Sequence, residues 1–224
     1  MRGRRTSATE PLGSAVRLAV STRPTRSARR LLAAGVLGAT LFAGGGGTAV
    51  AAADRPGAGA VTESSARLRP LAELSAQRLA TADLVAAAKY GTGSPVDDPA
   101  REQQVLDTVA AQATEAGADP EVTVRIFRDQ IEANKVVQRG LFRHWDADPS
   151  QAPTERPDLA EVRAEINRVN AELVRGIAAS TGARTAPYCG LMLAAAADGV
   201  RRADRLDALH TVALGRSLRS VCAG

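Results

Sequence analysis

Charged and amide side chains fall where the apolar stripes of helices should face a core. At 100° per residue, Arg78 and Lys89 share a stripe with Leu71, Leu74, Ala82 and Val85. Arg163 falls among Leu159, Ile166, Leu173 and Ile177. Asn134 and Gln138 lie in line with Phe127, Ile131, Leu141 and Trp145. A buried charge without a partner costs several kcal/mol. Three inward cations from two helices therefore require something anionic between them, either protein carboxylates or a ligand. A further segment places Asp98 and Glu102 on the face that carries Val105, Leu106 and Val109, with Arg101 at its edge. Arg78, Lys89, Arg101 and Arg163 could then line one cavity, with Asp98, Glu102, Asn134 and Gln138 beside them. The alternative is a set of internal Arg–carboxylate pairs that serve packing alone.

The elements that would carry these residues are all helices. A first helix is expected from about Pro70 to Tyr90, with proline at an early position and Gly91 to stop it. Asp98-Pro99 reads as a cap followed by proline at the first helical position and opens a second helix that ends near Gly117. Asp119-Pro120 repeats the signal, and the third helix continues to about Trp145. Three prolines between Asp146 and Pro157 mark a surface linker. A fourth helix is expected from near Asp158 to Thr181-Gly182, then two more over Tyr188–Ala203 and Arg205–Val221, forming an antiparallel pair. No stretch alternates with period two, and richness in Ala, Leu, Glu and Arg favours helix. The fold class is all-α, one bundle of about six helices.

The first 53 residues stand apart. Arg29-Arg30 precede an apolar stretch, Leu31 to Val50, that ends in small residues around Ala51–Ala53. That order describes a secretory signal peptide cleaved near Ala51–Ala53; the rival reading is a membrane anchor. Residues 54–69 are expected to form a flexible segment, and 70–224 the helical domain. The leader carries eight Arg and one Glu, so the remainder holds 21 basic against 23 acidic residues, a balance of −2. The high isoelectric point of about 10.0 belongs to the leader, and a nucleic-acid footprint or a stable membrane association of the mature domain is not supported. The two cysteines, Cys189 and Cys222, read as one disulfide in an exported chain, the alternative being two free thiols.

Several chemistries have no support. His144 and His210 have no second ligand at metal spacing, and there is no nucleophile elbow, P-loop or dinucleotide fingerprint. The chain is expected to work without metal, cofactor or covalent intermediate, through an electrostatic site.

The ordered set of residues resembles the all-helical chorismate mutases, specifically their secreted subclass. The family's Arg, Lys and acid-x-x-Arg-Glu elements appear as Arg78, Lys89 and Asp98-Pro99-Ala100-Arg101-Glu102. The group that meets the substrate ether oxygen falls at Gln138, where some secreted members carry Glu. The extra arginine of the subclass falls at Arg163, and its C-terminal disulfide at Cys189 and Cys222. Asn134 stands where Ser or Thr is frequent. The resemblance spans Leu71 to Cys222 and implies a rearrangement of chorismate to prephenate. It implies Arg78 and Arg163 on the substrate carboxylates, with Lys89 between a carboxylate and the ether oxygen. Gln138 would donate to that oxygen, Asp98 and Glu102 would receive the ring hydroxyl, and Arg101 would order that corner. Lys89, Gln138 and Arg78 are the catalytic candidates. It further implies a secreted or periplasmic homodimer with each site built within one chain. The rival functions are a helical binding protein for a small aromatic dicarboxylate and a purely structural helical domain.

Overall fold

The computed structural model describes residues 58–222; the expected leader, residues 1–53, lies outside the described residues. Seven α-helices and one 3-10 turn account for the fold, with no strand among the described residues. They are α1 (Ala58–Lys89), α2 (Pro99–Glu115), α3 (Pro120–Ala147), α4 (Leu159–Ala179), α5 (Thr181–Arg184), α6 (Cys189–Ala203) and α7 (Ala208–Ser217), with the 3-10 turn at Pro149–Gln151. The all-α expectation holds, and the short α5 is an addition to the six helices expected.

The aspartate–proline signals work as written. Asp98 accepts from the Arg101 N–H at 3.1 Å, and Asp119 accepts from the Glu121 and Val122 N–H groups at 2.8 and 3.0 Å. Pro99 and Pro120 occupy the first helical positions, where a missing N–H has no consequence. Asp158 caps α4 through the Ala160 N–H at 2.7 Å. Each such cap contributes roughly 1 kcal/mol.

The first helix departs from expectation at its start. It begins at Ala58, and Pro70 lies within it. An interior proline removes one helical hydrogen bond and costs about 3 kcal/mol, yet the helix continues because its inner face is anchored on both sides. Leu68 and Leu71 are fully buried, and Pro70 itself points to solvent. Arg67 Nη1 donates to the Ala179 carbonyl at 3.2 Å, tying this early part of α1 to the end of α4. Packing thus overrides a correct local rule.

The 32 residues of α1 form the central rod. It packs against α3, α4 and α6, while α7 lies on α3 and α2 closes over α3 and α4. The stripe expected to face inward does so: Leu71, Ala82 and Val85 are buried with Arg78 among them. The last two helices do not form the expected antiparallel pair. Leu193 and Val200 of α6 are buried against the core, as are Ala213 and Leu214 of α7, with α6 packed chiefly on α1 and α7 chiefly on α3. The last helix is also shorter than expected, since Arg205 takes a positive φ of 54° and Asp207 restarts the helix by capping His210. A disulfide between Cys189 and Cys222 joins the start of α6 to the chain beyond α7, with Cα atoms 5.7 Å apart.

Candidate active site

Four helices meet around one cavity, and all eight residues singled out from the sequence border it. Arg78 and Lys89 reach it from α1, and Asp98, Arg101 and Glu102 from the start of α2. Asn134 and Gln138 reach it from α3, and Arg163 from the first turns of α4. Val85, Val105, Ile131, Leu159 and Ile166 supply apolar wall between them. The space between them, partly open to solvent, is about 110 Å³, room for several water molecules.

Arg78 is the most constrained of these groups. It is 4 % exposed, and its Nε donates to Asn170 Oδ1 at 2.8 Å while Nη1 donates to the Gln130 carbonyl at 2.9 Å. Its guanidinium also lies 6.0 Å from the centre of the Phe127 ring, within cation–π range. No carboxylate among the described residues pairs with it. Burial accordingly pushes its pKa down to about 10, and it remains a cation at neutral pH.

Lys89 is the last residue of α1. Gly91 and Gly93, with φ of 69° and 77°, turn the chain back over the helix end. This brings the Pro95 carbonyl to 2.8 Å from Lys89 Nζ. Burial lowers the Lys89 pKa, Asp98, Asp97 and Glu102 oppose that shift, and Arg163 adds to it. Lys89 makes no ion pair among the described residues; its neighbouring charges are felt at longer range.

Gln138 is buried at 6 % exposure, and its carbonyl oxygen has no hydrogen-bond partner. An unsatisfied buried carbonyl costs about 1–3 kcal/mol, and the residue that carries it stands in the cavity wall. The two ends of the amide exchange by a flip about its last torsion, so either the donor or the acceptor can face the cavity. Asn134 is buried beside it and donates to the Arg78 carbonyl at 3.3 Å.

Of the two acids, Asp98 serves as the expected helix cap, while Glu102 is used in a way the sequence did not suggest. Asp98 is the cap of α2, and the Asp98 N–H in turn donates to Glu102 Oε1 at 3.4 Å. Glu102 is held by Lys135, whose Nζ lies 3.1 and 3.2 Å from its two oxygens. Lys135 also pairs with Asp97 at 3.3 Å and Glu132 at 2.5 Å. Burial works against the charge on Lys135, but its hydrogen bonds to Glu132, Glu102 and Asp97 prevail and raise its pKa. Lys135 borders the cavity but lies off the apolar stripe, one residue, or 100°, beyond Asn134. Asn170 was missed as well, although it is seven residues after Arg163 on the stripe that runs through Leu173 and Ile177; among apolar positions, an amide there was the available signal.

Arg163 corrects one expectation. It was read as an inward cation, but the structure leaves it exposed at the cavity rim. Leu159 and Ile166 on the same stripe are only half-buried, so a stripe that is buried at Leu173 and Ile177 has reached the surface at Arg163. The alternative of internal Arg–carboxylate pairs also fails: among the described residues, none of Arg78, Lys89, Arg101 and Arg163 is paired with a carboxylate, and Arg101 meets the neutral Gln104 at 3.2 Å. Cations free of carboxylate partners in a partly apolar cavity attract a compact anion. No histidine or cysteine borders the cavity.

Comparison with known proteins agrees with this geometry. The family described as chorismate mutase type II matches residues 69–139. The secreted chorismate mutase of Mycolicibacterium smegmatis is 39 % identical over 163 residues, covering 73 % of this chain and 90 % of that protein. The secreted chorismate mutase of Mycobacterium tuberculosis is 32 % identical over 160 residues, covering 71 % and 80 %. Among solved structures, the chorismate mutase from Burkholderia phymatum superposes with a TM-score of 0.68 at 36 % identity, over 72 % of this chain and 99 % of that one. The secreted chorismate mutase from Yersinia pestis shares the fold, with a TM-score of 0.56 at 21 % identity over 67 % and 94 % of the two chains. With 32 % identity or more to the first three of these relatives over more than two thirds of its length, the chain belongs to the chorismate mutase family.

Proposed function

We propose that this chain is an exported chorismate mutase, an isomerase that rearranges chorismate to prephenate, and that Arg78, Lys89, Gln138 and Arg163 carry the reaction. The observation that supports this most directly is the set of cavity cations without carboxylate partners around the unsatisfied Gln138 amide. A dianion offers acceptors to those cations, and its ether oxygen would accept from the Gln138 amide N–H when the amide presents its donor end to the cavity.

The rearrangement is intramolecular, breaking a C–O bond and forming a C–C bond with no proton to move. The protein has two tasks: to hold the folded, reactive conformer and to stabilise negative charge as the C–O bond lengthens. Arg78 and Arg163, one deep and one at the rim, would bind the two carboxylates from opposite ends. Holding the reacting ends together is worth several kcal/mol. Lys89 and the Gln138 amide would donate to the ether oxygen; removal of one such donor typically costs about 3–4 kcal/mol of barrier. Glu102, steadied by Lys135, and Asp98 would receive the ring hydroxyl, with Arg101 ordering that corner and Asn134 fixing the Arg78 backbone.

Export is supported by Arg29-Arg30, the apolar stretch to Val50 and the small residues at Ala51–Ala53, and by the printed names of the two mycobacterial relatives. No described helix is long and apolar enough to cross a membrane. A homodimer is part of the proposal, with each site built within one chain, because Arg78 and Lys89 of α1 and Arg163 of α4 already border the same cavity.

Chromatographic separation of chorismate from prephenate after incubation with the purified protein tests the activity. Stoichiometric conversion is expected. Binding of chorismate without conversion would replace the enzyme by a binding protein.

A further inference from the structure

The bonds around Arg78 make a further point. A buried arginine is ordinarily neutralised by a carboxylate, because the pair costs less than the lone charge. Arg78 instead meets the side-chain carbonyl of Asn170 at 2.8 Å and the main-chain carbonyl of Gln130 at 2.9 Å. Asn170 comes from α4 and is as buried as Arg78, at 4 % exposure each. These two bonds use the Nε and one Nη1 N–H, leaving three of the five guanidinium N–H groups without a protein acceptor among the described residues. Arg78 is among the residues that border the cavity.

We infer that Asn170 is a positioning residue that aims Arg78 into the cavity through a neutral acceptor, so that the guanidinium keeps its full charge for a substrate carboxylate; the inference rests on the reading of Arg78 as a carboxylate ligand. Asparagine and aspartate have the same shape and reach. An aspartate at this position would orient Arg78 equally well, but it would compete with the substrate for its charge. A leucine of similar volume would leave the charge uncompensated but remove the bond that aims it. The two substitutions therefore separate aim from charge, which a merely structural asparagine would not do.

Steady-state kinetics and thermal unfolding of Asn170→Asp and Asn170→Leu, in the full chain, test this. For Asn170→Asp, KM for chorismate should rise about tenfold or more while kcat changes less than about threefold, because an interaction made in ground and transition states alike is weakened. Its Tm should equal or exceed that of the parent. For Asn170→Leu, kcat should fall more than KM rises. A parental KM in Asn170→Asp would overturn the inference, as would the same kinetic pattern in both variants or losses that merely follow the folded fraction. Arg78→Ala separates this from the reading beneath it: an unchanged KM there would remove Arg78 from substrate binding whatever Asn170 does.

Discussion

Glu102 turns its carboxylate to Lys135, at 3.1 and 3.2 Å, and to none of the four cations that remain without carboxylate partners in the cavity. One of the two acids that border the cavity is thus neutralised from outside the expected binding set, and the cations that remain are left for a ligand. Asp97 extends the arrangement: it takes two hydrogen bonds from Arg139 Nη2, at 2.6 and 2.7 Å, and these hold its carboxyl below the usual range.

Removing the hub should cost both stability and activity. Lys135→Met leaves Asp97, Glu102 and Glu132 facing one another. These carboxylates are 27–54 % exposed, so the cost should be about 1–2 kcal/mol, below that of a fully buried pair. That corresponds to a Tm lower by about 2–8 °C, read by circular dichroism. KM should also rise, because the competing acid at the cavity edge is no longer neutralised.

Gln138 gives a pH test. Gln138→Ala should lower kcat by about 10²–10³-fold, the usual loss for one transition-state donor. Gln138→Glu should retain activity only where the new carboxyl is protonated, since a carboxylate cannot donate. Its kcat should therefore fall as pH rises, whereas the parent amide donates at every pH. Parallel pH profiles for the two proteins would remove Gln138 from the ether oxygen.

His210 lies outside the site and ties α7 to α1. Its Nε2 is 3.0 Å from Asp83 and its Nδ1 2.8 Å from Asp207. The hydrogen bond to Asp83, and after it that to Asp207, outweighs burial and raises the imidazole pKa from 6.5 to about 9. A folded-state pKa above the unfolded value stabilises fully below pH 6.5, and the contribution is lost as pH rises through about 9. After allowance for solvent screening the effect is about 1–2 kcal/mol. The Tm of the parent should fall over that interval more than the Tm of His210→Gln, in which no imidazole titrates.

The disulfide closes 33 residues of sequence separation. Its removal, in Cys189→Ser with Cys222→Ser, should lower stability by about 3–4 kcal/mol by constraining the unfolded chain less. Because α6 and α7 hold to α1 and α3 through their own buried residues, helix content should persist at low temperature while the Tm falls.

How far the sequence could be read depended on the range of the interaction. Helix starts at Asp98, Asp119 and Asp158 were legible because a cap and a proline act over three residues. The inward placement of Arg78, Asn134 and Gln138 was legible because one helical period is enough to see it. The start of α1 was not, since Pro70 obeys a local rule that Leu68, Leu71 and Arg67 override through partners more than a hundred residues away. Arg163 was misplaced because periodicity gives direction around a helix and not distance from the core. Lys135 and Asn170 were missed because their meaning lies in their partners, Glu102 and Arg78, which only the folded chain brings near.

The measurement closest to the central claim is the rate of chorismate loss, by ultraviolet absorbance, for the parent and for Lys89→Ala. The parent should convert chorismate with saturating kinetics, and Lys89→Ala should lose about 10²-fold or more in kcat with a smaller change in KM. A folded Lys89→Ala that keeps the parental kcat, or a folded parent with no turnover above background, would contradict the account.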